Sequence, residues 1–378
     1  MTVEQDRIEI RSIETGTNPT RFARGWHCLG LARDFRDGKP HQVQAFGTDL
    51  VVFADTKGDL HVLDAFCRHM GGNLARGEIK GDAIACPFHD WRWGGNGRCT
   101  EIPYARRTPK VARTKAWLTM EKFGALFVWH CPQGTTPPDE ITIPEIEGYD
   151  EGEWSEWTWT SIHVEGSHCR EIVDNVVDMA HFFYVHFQMP EFFKNVFDGH
   201  VAGQHMRSYG RDDIKTGVQM DIPDAQTISD AFYYGPSFML DTLYTVADGA
   251  TVESKLINCH YPVTNNSFVL QFGTTVKRIE GMSEEQTAEM ATLFTDGLEE
   301  QFKQDIEIWK HKSRIENPLL TEEDGPVYQL RRWYQQFYVD VEDVTPDMTQ
   351  RFEFEVDTTR ARESWHKEVE ENLAASGN

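Results

Sequence analysis

Two short motifs that each combine a cysteine with a histidine constrain this sequence more than any other feature. Cys67 and His69 form a C-x-H pair, and Cys86 and His89 form a C-x-x-H pair after a gap of sixteen residues. Each pair falls at the tip of an expected β loop, where four side chains can converge. Thiolates and imidazoles are ligands of transition metals, so the two loops are predicted to form one metal site.

The mixture of ligands in each motif distinguishes between two kinds of metal site. Zinc fingers usually pair like ligands at C-x2-C and H-x3-H spacing, whereas each motif here supplies one cysteine and one histidine. A [2Fe-2S] cluster of the Rieske type binds two cysteines on one iron and two histidines on the other. The sequence therefore favours Cys67 and Cys86 on one iron and His69 and His89 on the other. Structural zinc is the alternative.

The net charge and the hydropathy pattern exclude some partners and locations. The 378 residues include 37 Lys and Arg against 61 Asp and Glu, which gives a net charge of -24. This charge repels phosphate backbones and anionic lipids, so we expect no nucleic-acid partner. No run of 18 apolar residues and no apolar signal-peptide core occur, so we expect no membrane insertion and a cytoplasmic protein.

The chain is predicted to contain two domains joined by an acidic connection. The first region reads as short strands and turns and includes a hairpin between VVFAD and HVLDAF. Residues 131–161 contain eight carboxylates and no Lys or Arg, so we expect a solvated connection with a domain boundary near Tyr149. The predicted organisation is a tail over residues 1–20, a metal domain with its connection over 21–150 and a second domain over 151–378.

The second region shows signals for both strands and helices. We predict a strand over 157–164, a helix from about Arg170 to Phe183, and a hairpin whose turn lies at residues 264–266. Ser283 and Gln286 have the spacing of a capping box, which predicts a long helix that ends near Lys312.

A second metal site is expected in this region, because an iron–sulfur cluster passes single electrons and cannot insert oxygen by itself. Two histidines and a carboxylate on one face of an octahedron bind non-haem Fe(II) and leave positions open for dioxygen. His181 and His186 are the candidate histidines. They lie about 140° apart around an ideal helix, so both can reach one metal only if the helix ends or bulges near Phe183.

Two aspartates are candidates for the carboxylate ligand. Asp178 lies three residues before His181. It is therefore close enough either to bind the metal or to orient the His181 imidazole without binding the metal itself. Asp305 lies between Phe302 and Trp309 on the apolar stripe of the long helix, where a carboxylate is costly unless it is paired or bound to metal. Asp305 is the favoured ligand, with a buried ion pair as the alternative role.

Taken together, these motifs resemble the terminal oxygenases of the Rieske non-haem iron family. The resemblance extends from the first motif through the D-x2-H-x4-H pattern of Asp178, His181 and His186 to the distant Asp305. It implies an α+β fold, in which an all-β Rieske domain precedes a catalytic domain of the helix-grip type, with an antiparallel sheet flanked by helices. It also implies a homotrimer, in which Asp178 bridges His181 to His89 of the partner subunit and Asp305 is the third iron ligand.

Two longer segments, RFARGWHCLGLARDF and NVVDMAHFFYVHFQMPEFFKNVFDGH, are similar to the oxygenase components of bacterial 3-ketosteroid 9α-hydroxylases. This similarity implies that NADH reduces a separate flavin and iron–sulfur reductase, which passes electrons to the cluster and then to the iron. One atom of dioxygen would enter a C–H bond of the steroid at the 9α position. Asp241 falls where related proteins are expected to have an uncharged amide. The residues implied to bind the steroid are Val176, Gln204, Tyr233, Met239, Asn258, Phe302 and Trp309.

Two further groups of residues have expected roles. Seven aromatic residues between 182 and 197 are candidate walls of an apolar pocket. A basic stretch in this acidic chain, opposed only by Glu101, is a candidate docking surface for the reductase. The basic stretch consists of Arg98, Arg106, Arg107, Lys110, Arg113 and Lys115.

Three other functions remain compatible with the motifs. A Rieske oxygenase that acts on another large apolar substrate, such as a sterol desaturase or an arene dihydroxylase, would use the same metals. The other two are a non-catalytic Rieske electron carrier and an interaction protein organised by zinc.

Overall fold

The computed structural model describes residues 12–214 and 225–376, and their arrangement confirms the α+β class. Of the predicted tail over 1–20, residues 1–11 lie outside the described part. Thr15 forms an isolated antiparallel bridge with Ile315, so the described end of this segment pairs with the chain just after the helix Glu284–His311. No helix in the described ranges is both long and apolar enough to cross a membrane.

Three small antiparallel sheets form the first region. Their orders are β1-β11-β10, β2-β3-β4-β9 and β5-β6-β7-β8. The predicted hairpin is present, since β3 and β4 pair from Leu50 with Asp64 to Ala54 with Leu60. The strands are β1 (Gly25–Leu31), β2 (His41–Ala45), β3 (Thr48–Ala54), β4 (Leu60–Asp64), β5 (Glu78–Lys80), β6 (Ala83–Ala85), β7 (Arg92–Gly94), β8 (Cys99–Glu101), β9 (Ala116–Trp117), β10 (Thr119–Lys122) and β11 (Ala125–His130).

An eight-stranded antiparallel sheet dominates the second region, in the order β12-β18-β17-β16-β15-β14-β13-β19. Its strands β17 and β18 form the predicted hairpin around residues 264–266. Alternate side chains of the long strands face helices on one side, which is the face that carries the site. The strands are β12 (Thr160–Glu165), β13 (Gln188–Asp198), β14 (Val201–Gly210), β15 (Gln226–Tyr234), β16 (Phe238–Ala247), β17 (Ala250–Thr264), β18 (Ser267–Val276) and β19 (Phe352–Glu355).

Six α-helices accompany this sheet in the described residues. The predicted long helix agrees with α3, and both hydrogen bonds of the capping box between Ser283 and Gln286 are present. The predicted strand over 157–164 is β12, which starts three residues later, at Thr160. The helices are α1 (Arg170–Asp174), α2 (Met179–Tyr184), α3 (Glu284–His311), α4 (Val327–Gln335), α5 (Pro346–Thr349) and α6 (Thr359–Ser376).

The prediction of one helix from Arg170 to Phe183 is wrong. A 3-10 turn follows α1 at Asn175–Val177, and Asp178 then has an extended backbone with φ -95° and ψ 93°. The Asp178 side chain accepts a hydrogen bond from the His181 backbone N–H, so it caps α2 instead of lying within a continuous helix.

The prediction that residues 131–161 form a solvated connection is also wrong in part. Ile143, Ile146, Trp154 and Trp157 are buried among side chains of β1, β11, β16 and β17. The carboxylates made this segment look solvated, but its apolar residues fill the space between the two regions. The two regions therefore share one hydrophobic core.

Candidate functional site: two metal-ligand constellations and a cavity

The first candidate metal site is formed by two similar turns. In one, the Gly71 N–H donates to the Cys67 carbonyl, and in the other, the Asp90 N–H donates to the Cys86 carbonyl, both at 2.9 Å. The two thiols are buried in one core cluster with Trp93, and burial raises the pKa of Cys67. Both histidines are only partly buried, so the cysteine side of the site faces the core and the histidine side faces outward.

The imidazoles at this site are held in place by ring contacts. The centroids of His69 and His89 lie 4.7 Å apart, and Trp91 stacks on His69 with centroids 4.5 Å apart and planes 7° apart. Trp91 Nε1 donates to the Tyr104 hydroxyl at 2.7 Å. The His69 Nδ1 atom is buried and has no hydrogen-bond partner in the described ranges. Two buried free thiols and an unpaired imidazole nitrogen fit a mixed cysteine and histidine metal group.

The second candidate metal site brings together His181, His186 and Asp305, whose ligand atoms all lie within 4.8 Å of one another. His181 is in α2, His186 follows its end, and Asp305 faces them from α3. His186 Nε2 lies 3.3 Å from Asp305 Oδ2, and both side chains are buried. The His186 Nδ1 atom is also buried and lacks a hydrogen-bond partner within the described part of the chain. Two imidazoles and one carboxylate in this arrangement fit a mononuclear iron site.

The end of α2 allows both histidines to reach one point. The helix ends at Tyr184, as the spacing of His181 and His186 required. The Val185 and His186 N–H groups both donate to the His181 carbonyl, at 2.7 and 3.4 Å, so the last turn is widened.

Neighbouring groups orient the ligands. His181 Nδ1 donates to the Asp178 backbone carbonyl, which leaves Nε2 for a metal. Burial lowers the pKa of His181, against the opposing charge of Asp178, and favours the neutral imidazole. Asn175 Nδ2 donates to Asp305 Oδ2 at 3.1 Å. Sequence reasoning missed Asn175, since a single asparagine near a helix end has no chemical signature of its own.

Asp178 itself lies outside this group of ligand atoms. Its carboxylate is 3.9 Å from His181 Nδ1, and its side chain is 51% exposed. The geometry therefore separates the two candidate carboxylates, with Asp305 facing both imidazoles and Asp178 lying behind one of them.

A cavity of about 260 Å³ opens from the second metal site between the sheet and α3. Six of the seven residues expected to bind the steroid line it, namely Val176, Gln204, Tyr233, Met239, Asn258 and Phe302. Trp309 differs from the prediction, because it does not line this cavity and packs against Phe268 in the core. One helical turn from Asp305, it faces the sheet instead of the opening.

The prediction of an aromatic wall between 182 and 197 holds only for Phe182. Phe183, Phe193 and Phe197 are fully buried in core clusters, and Tyr184 is exposed. Successive side chains of β13 point to opposite faces of the sheet, so its aromatic residues pack on both faces.

The predicted basic stretch is a solvent-exposed surface whose six cations form no ion pair with the described residues. An isolated bridge between Arg98 and Arg113 brings its two ends together. Glu101 does not oppose these cations, because it binds Arg92. Although Lys115 is exposed as a residue, its ammonium group lies over the Trp117 ring at 3.5 Å, and the partial desolvation of this group lowers its pKa.

Comparisons with known proteins agree with both halves of the fold. Residues 25–114 match the Rieske [2Fe-2S] domain, and residues 128–338 match the C-terminal domain of 3-ketosteroid 9alpha-hydroxylase. Dicamba monooxygenase, in a crystal structure bound to dicamba, is similar in fold with a TM-score of 0.69 at 17% identity, over 84% of this chain and 98% of that one.

Relatives in two organisms are similar over the whole length. A 3-ketosteroid-9-alpha-monooxygenase oxygenase component from Rhodococcus rhodochrous is 86% identical over 376 residues, 100% of both chains. The protein of that name from Mycobacterium tuberculosis is 57% identical, over 99% of this chain and 96% of its own. The chain therefore belongs to the Rieske monooxygenases, in the family of 3-ketosteroid 9α-hydroxylase oxygenase components.

Proposed function

We propose that the chain inserts one atom of dioxygen at the 9α C–H bond of a 3-ketosteroid and releases the other as water. Two electrons from NADH would arrive through a flavin and iron–sulfur reductase. The observation that carries this proposal is the position of His181, His186 and Asp305 at one end of a largely apolar cavity. This hydroxylation would take place in the cytoplasm, where NADH is available.

The proposed ligands follow from the two groups described above. Cys67, His69, Cys86 and His89 would hold a [2Fe-2S] cluster, and His181, His186 and Asp305 would hold mononuclear Fe(II). When bound, these groups would supply single-electron transfer and dioxygen activation.

The cavity walls would determine which C–H bond reacts. Apolar side chains such as Val176, Met239 and Phe302 exclude water and hold the rings in one orientation. The polar atoms of Gln204, Tyr233 and Asn258 would hydrogen-bond to steroid oxygens. Selectivity then comes from the carbon that the walls hold nearest to the metal ligands.

Electron transfer would cross between subunits of a homotrimer. His89 and Asp178 are both accessible at the surface of the single chain, and Asp178 is in contact with His181. Asp178 would therefore bridge His181 to His89 of the partner subunit. The basic stretch would receive the reductase, since its cations are exposed and unpaired among the described residues.

The proposed domains are a tail over residues 1–20, a Rieske domain with its connection over residues 21–150 and a catalytic domain over residues 151–378. The residues that match the two family profiles fall largely on either side of that boundary.

The test combines product identification with metal analysis. The purified protein, an NADH-dependent reductase and androst-4-ene-3,17-dione should give a 9α-hydroxylated product. Asp305→Ala should abolish the product and remove about one iron of three per chain, while the visible spectrum of the cluster is unchanged. Glu307→Ala is the matched control, because Glu307 is on the same helix and is 72% exposed. Product formation by Asp305→Ala would mean that the third ligand lies elsewhere.

A further inference from the structure

An aspartate lies in the cavity wall on the central strand β16. Asp241 is 6% exposed and lies opposite Ala231 on β15 and Leu256 on β17. It is two residues from Met239, so it lies one row further along the same face of the sheet. Both Asp241 and Ser229 line the cavity.

The hydrogen bonds of Asp241 are incomplete for an ionised carboxylate. Ser229 Oγ lies 3.0 Å from Oδ1 and 2.9 Å from Oδ2, but a hydroxyl has one hydrogen and can satisfy one of these oxygens at a time. Asp241 forms no ion pair within the described residues. A buried anion without a cation and with a single side-chain donor is strongly disfavoured, so the neutral acid is the better-satisfied form.

The charged groups around Asp241 do not supply a counterion. On β17, Lys255 Nζ binds Thr242 and Glu253. On β15, Asp230 points to the other face of the sheet, where it contacts His205 of β14. The cavity-lining residues of α3 are uncharged until Asp305, which belongs with His181 and His186 at the metal end.

The titration of Asp241 agrees with this geometry. Burial, with a smaller contribution from the negative charge of Asp230, raises its pKa to about 7, against the hydrogen bonds from Ser229 and the Asp230 backbone and the charge of Lys255. The side chain is therefore balanced between a neutral donor and an anionic acceptor near neutral pH.

We propose that Asp241, as a neutral carboxylic acid, donates a hydrogen bond to a carbonyl oxygen of the steroid and so determines which steroids bind. Its O–H group would donate to the ligand while Ser229 donates to its other oxygen, so every polar atom would be paired. This proposal rests on the proposed function, because it takes the cavity as the steroid site. Ionisation would remove the donor and place a negative charge beside the carbonyl, so steroid affinity should fall as the pH rises. An amide at this position would donate at every pH.

The test measures the Kd of the holoenzyme for androst-4-ene-3,17-dione between pH 6 and 9, without reductase, by equilibrium dialysis. The Kd of the unmodified protein should be constant at low pH and rise by up to about tenfold per pH unit above neutrality. Asp241→Asn should bind with a Kd that does not change with pH. Asp230→Asn is the matched control, since it removes a neighbouring carboxylate on the opposite face. It should keep the rise of Kd with pH, moved to lower pH because the charge of Asp230 no longer raises the pKa of Asp241.

A second ligand identifies the oxygen that is recognised. Androst-4-en-3-one lacks the oxygen at C17, so a lost pH dependence with this steroid assigns Asp241 to the C17 carbonyl, and a retained one assigns it to the C3 carbonyl. Unchanged pH dependence in Asp241→Asn, with its folding verified by thermal unfolding, would overturn the role of Asp241. A pH-independent Kd in the unmodified protein would do the same. Failure of the unmodified protein to bind either steroid at any pH would instead contradict the proposed function.

Discussion

Three side chains in the cavity wall carry polar atoms that the described part of the chain does not pair. Gln204 Oε1, Tyr233 OH and Asn258 Oδ1 are buried and have no hydrogen-bond partner among the residues that the structure describes. An unpaired buried polar group costs about 1–3 kcal/mol, so its retention in a binding site indicates a partner outside the chain. Strands β14, β15 and β17 each supply one of these atoms, and together they can bind an oxygen-bearing apolar ligand.

Removal of the Tyr233 hydroxyl should separate binding from stability. Tyr233 is fully buried, and burial raises its pKa so that the phenol stays neutral and available as a donor. Tyr233→Phe should leave the free energy of unfolding unchanged within about 1 kcal/mol, because no hydrogen bond within the protein is lost. The Kd for androst-4-ene-3,17-dione should rise about fivefold, which corresponds to one hydrogen bond.

The matched control for this experiment is Tyr334→Phe. The Tyr334 hydroxyl is also buried but donates to the Pro236 carbonyl at 3.0 Å. Its loss should reduce the free energy of unfolding by about 1–3 kcal/mol without a change in steroid affinity. A destabilised Tyr233→Phe protein with unchanged steroid affinity would show that the Tyr233 hydroxyl has a structural partner and does not bind the ligand.

The short helix α2 depends on packing from distant parts of the chain. Six residues are too few for a stable isolated helix, so its position must come from tertiary contacts. Phe183 of α2 stacks on Trp365 of α6, with centroids 4.8 Å apart and planes 10° apart. The Arg211 guanidinium lies over the Phe183 ring, 4.0 Å from its centroid, and binds Asp213 and Glu368. Helix α6 thereby holds the helix that carries His181.

Truncation of Trp365 should therefore affect both stability and metal binding. Trp365→Ala should lower the free energy of unfolding by about 3–5 kcal/mol, because it empties a buried ring position. It should also lower the iron content of the mononuclear site, because α2 loses its support, while the cluster spectrum is unchanged. Denaturant unfolding and iron analysis give the two quantities.

Leu373→Ala is the control for this helix. Leu373 lies on α6 but is 45% exposed, so its truncation should change stability by less than about 0.5 kcal/mol and leave the iron content unchanged. Full iron occupancy in a destabilised Trp365→Ala protein would show that α2 keeps its position without α6.

Features that depend on neighbours in sequence were predictable, and those that depend on distant contacts were not. The capping box fixed the start of α3, and strict spacing of Cys67, His69, Cys86 and His89 identified one constellation. The break at Asp178 was missed, because the surrounding residues keep an apolar helical pattern while the side chain caps the following turn. Burial of Trp154 could not be foreseen from an acidic segment, since the partners of its ring come from other elements.

The shared hydrophobic core holds the two regions of the chain together as one rigid body. Trp26 and Phe127 of the first region pack with Phe238 and Ile257 of the large sheet, so the candidate cluster site has a fixed position relative to the cavity of its own chain. The Gln271 side chain adds a hydrogen bond to the Cys28 carbonyl at 3.1 Å. In the proposed function, electrons would enter and leave the cluster at surfaces that meet other molecules, namely the basic stretch and the surface around Asp178.

Charge reversal in the basic stretch should slow reduction of the cluster. Arg106 and Arg107 are exposed in a protein of charge -24, so they attract an acidic partner locally. In the double variant Arg106→Glu and Arg107→Glu, stopped-flow reduction by the NADH-dependent reductase should be slower at low salt and less sensitive to ionic strength.

The control reverses two exposed cations far along the chain, with Arg360→Glu and Lys367→Glu on α6, whose side chains are 81% and 75% exposed. It makes the same change in net charge, so it should keep the reduction rate of the unmodified protein. Equal slowing in both double variants would show that only the overall charge matters and that the basic stretch is not the docking surface.

Complementation between two inactive variants distinguishes electron transfer between subunits from transfer within one chain. Cys67→Ser should lack the cluster and His181→Ala should lack the mononuclear iron, so each homo-oligomer should be inactive. In mixed oligomers of the proposed trimer, a subunit with an intact cluster would lie next to one with intact iron. Random assembly would give this productive arrangement at about a quarter of the subunit interfaces. Activity of the co-expressed proteins should recover to about that fraction of the unmodified level.

Asp178→Ala in the subunit that keeps its iron should remove the recovery, since the bridge to His89 of the partner subunit would be lost. No recovery in mixed oligomers of verified composition would place the whole electron path within a single chain.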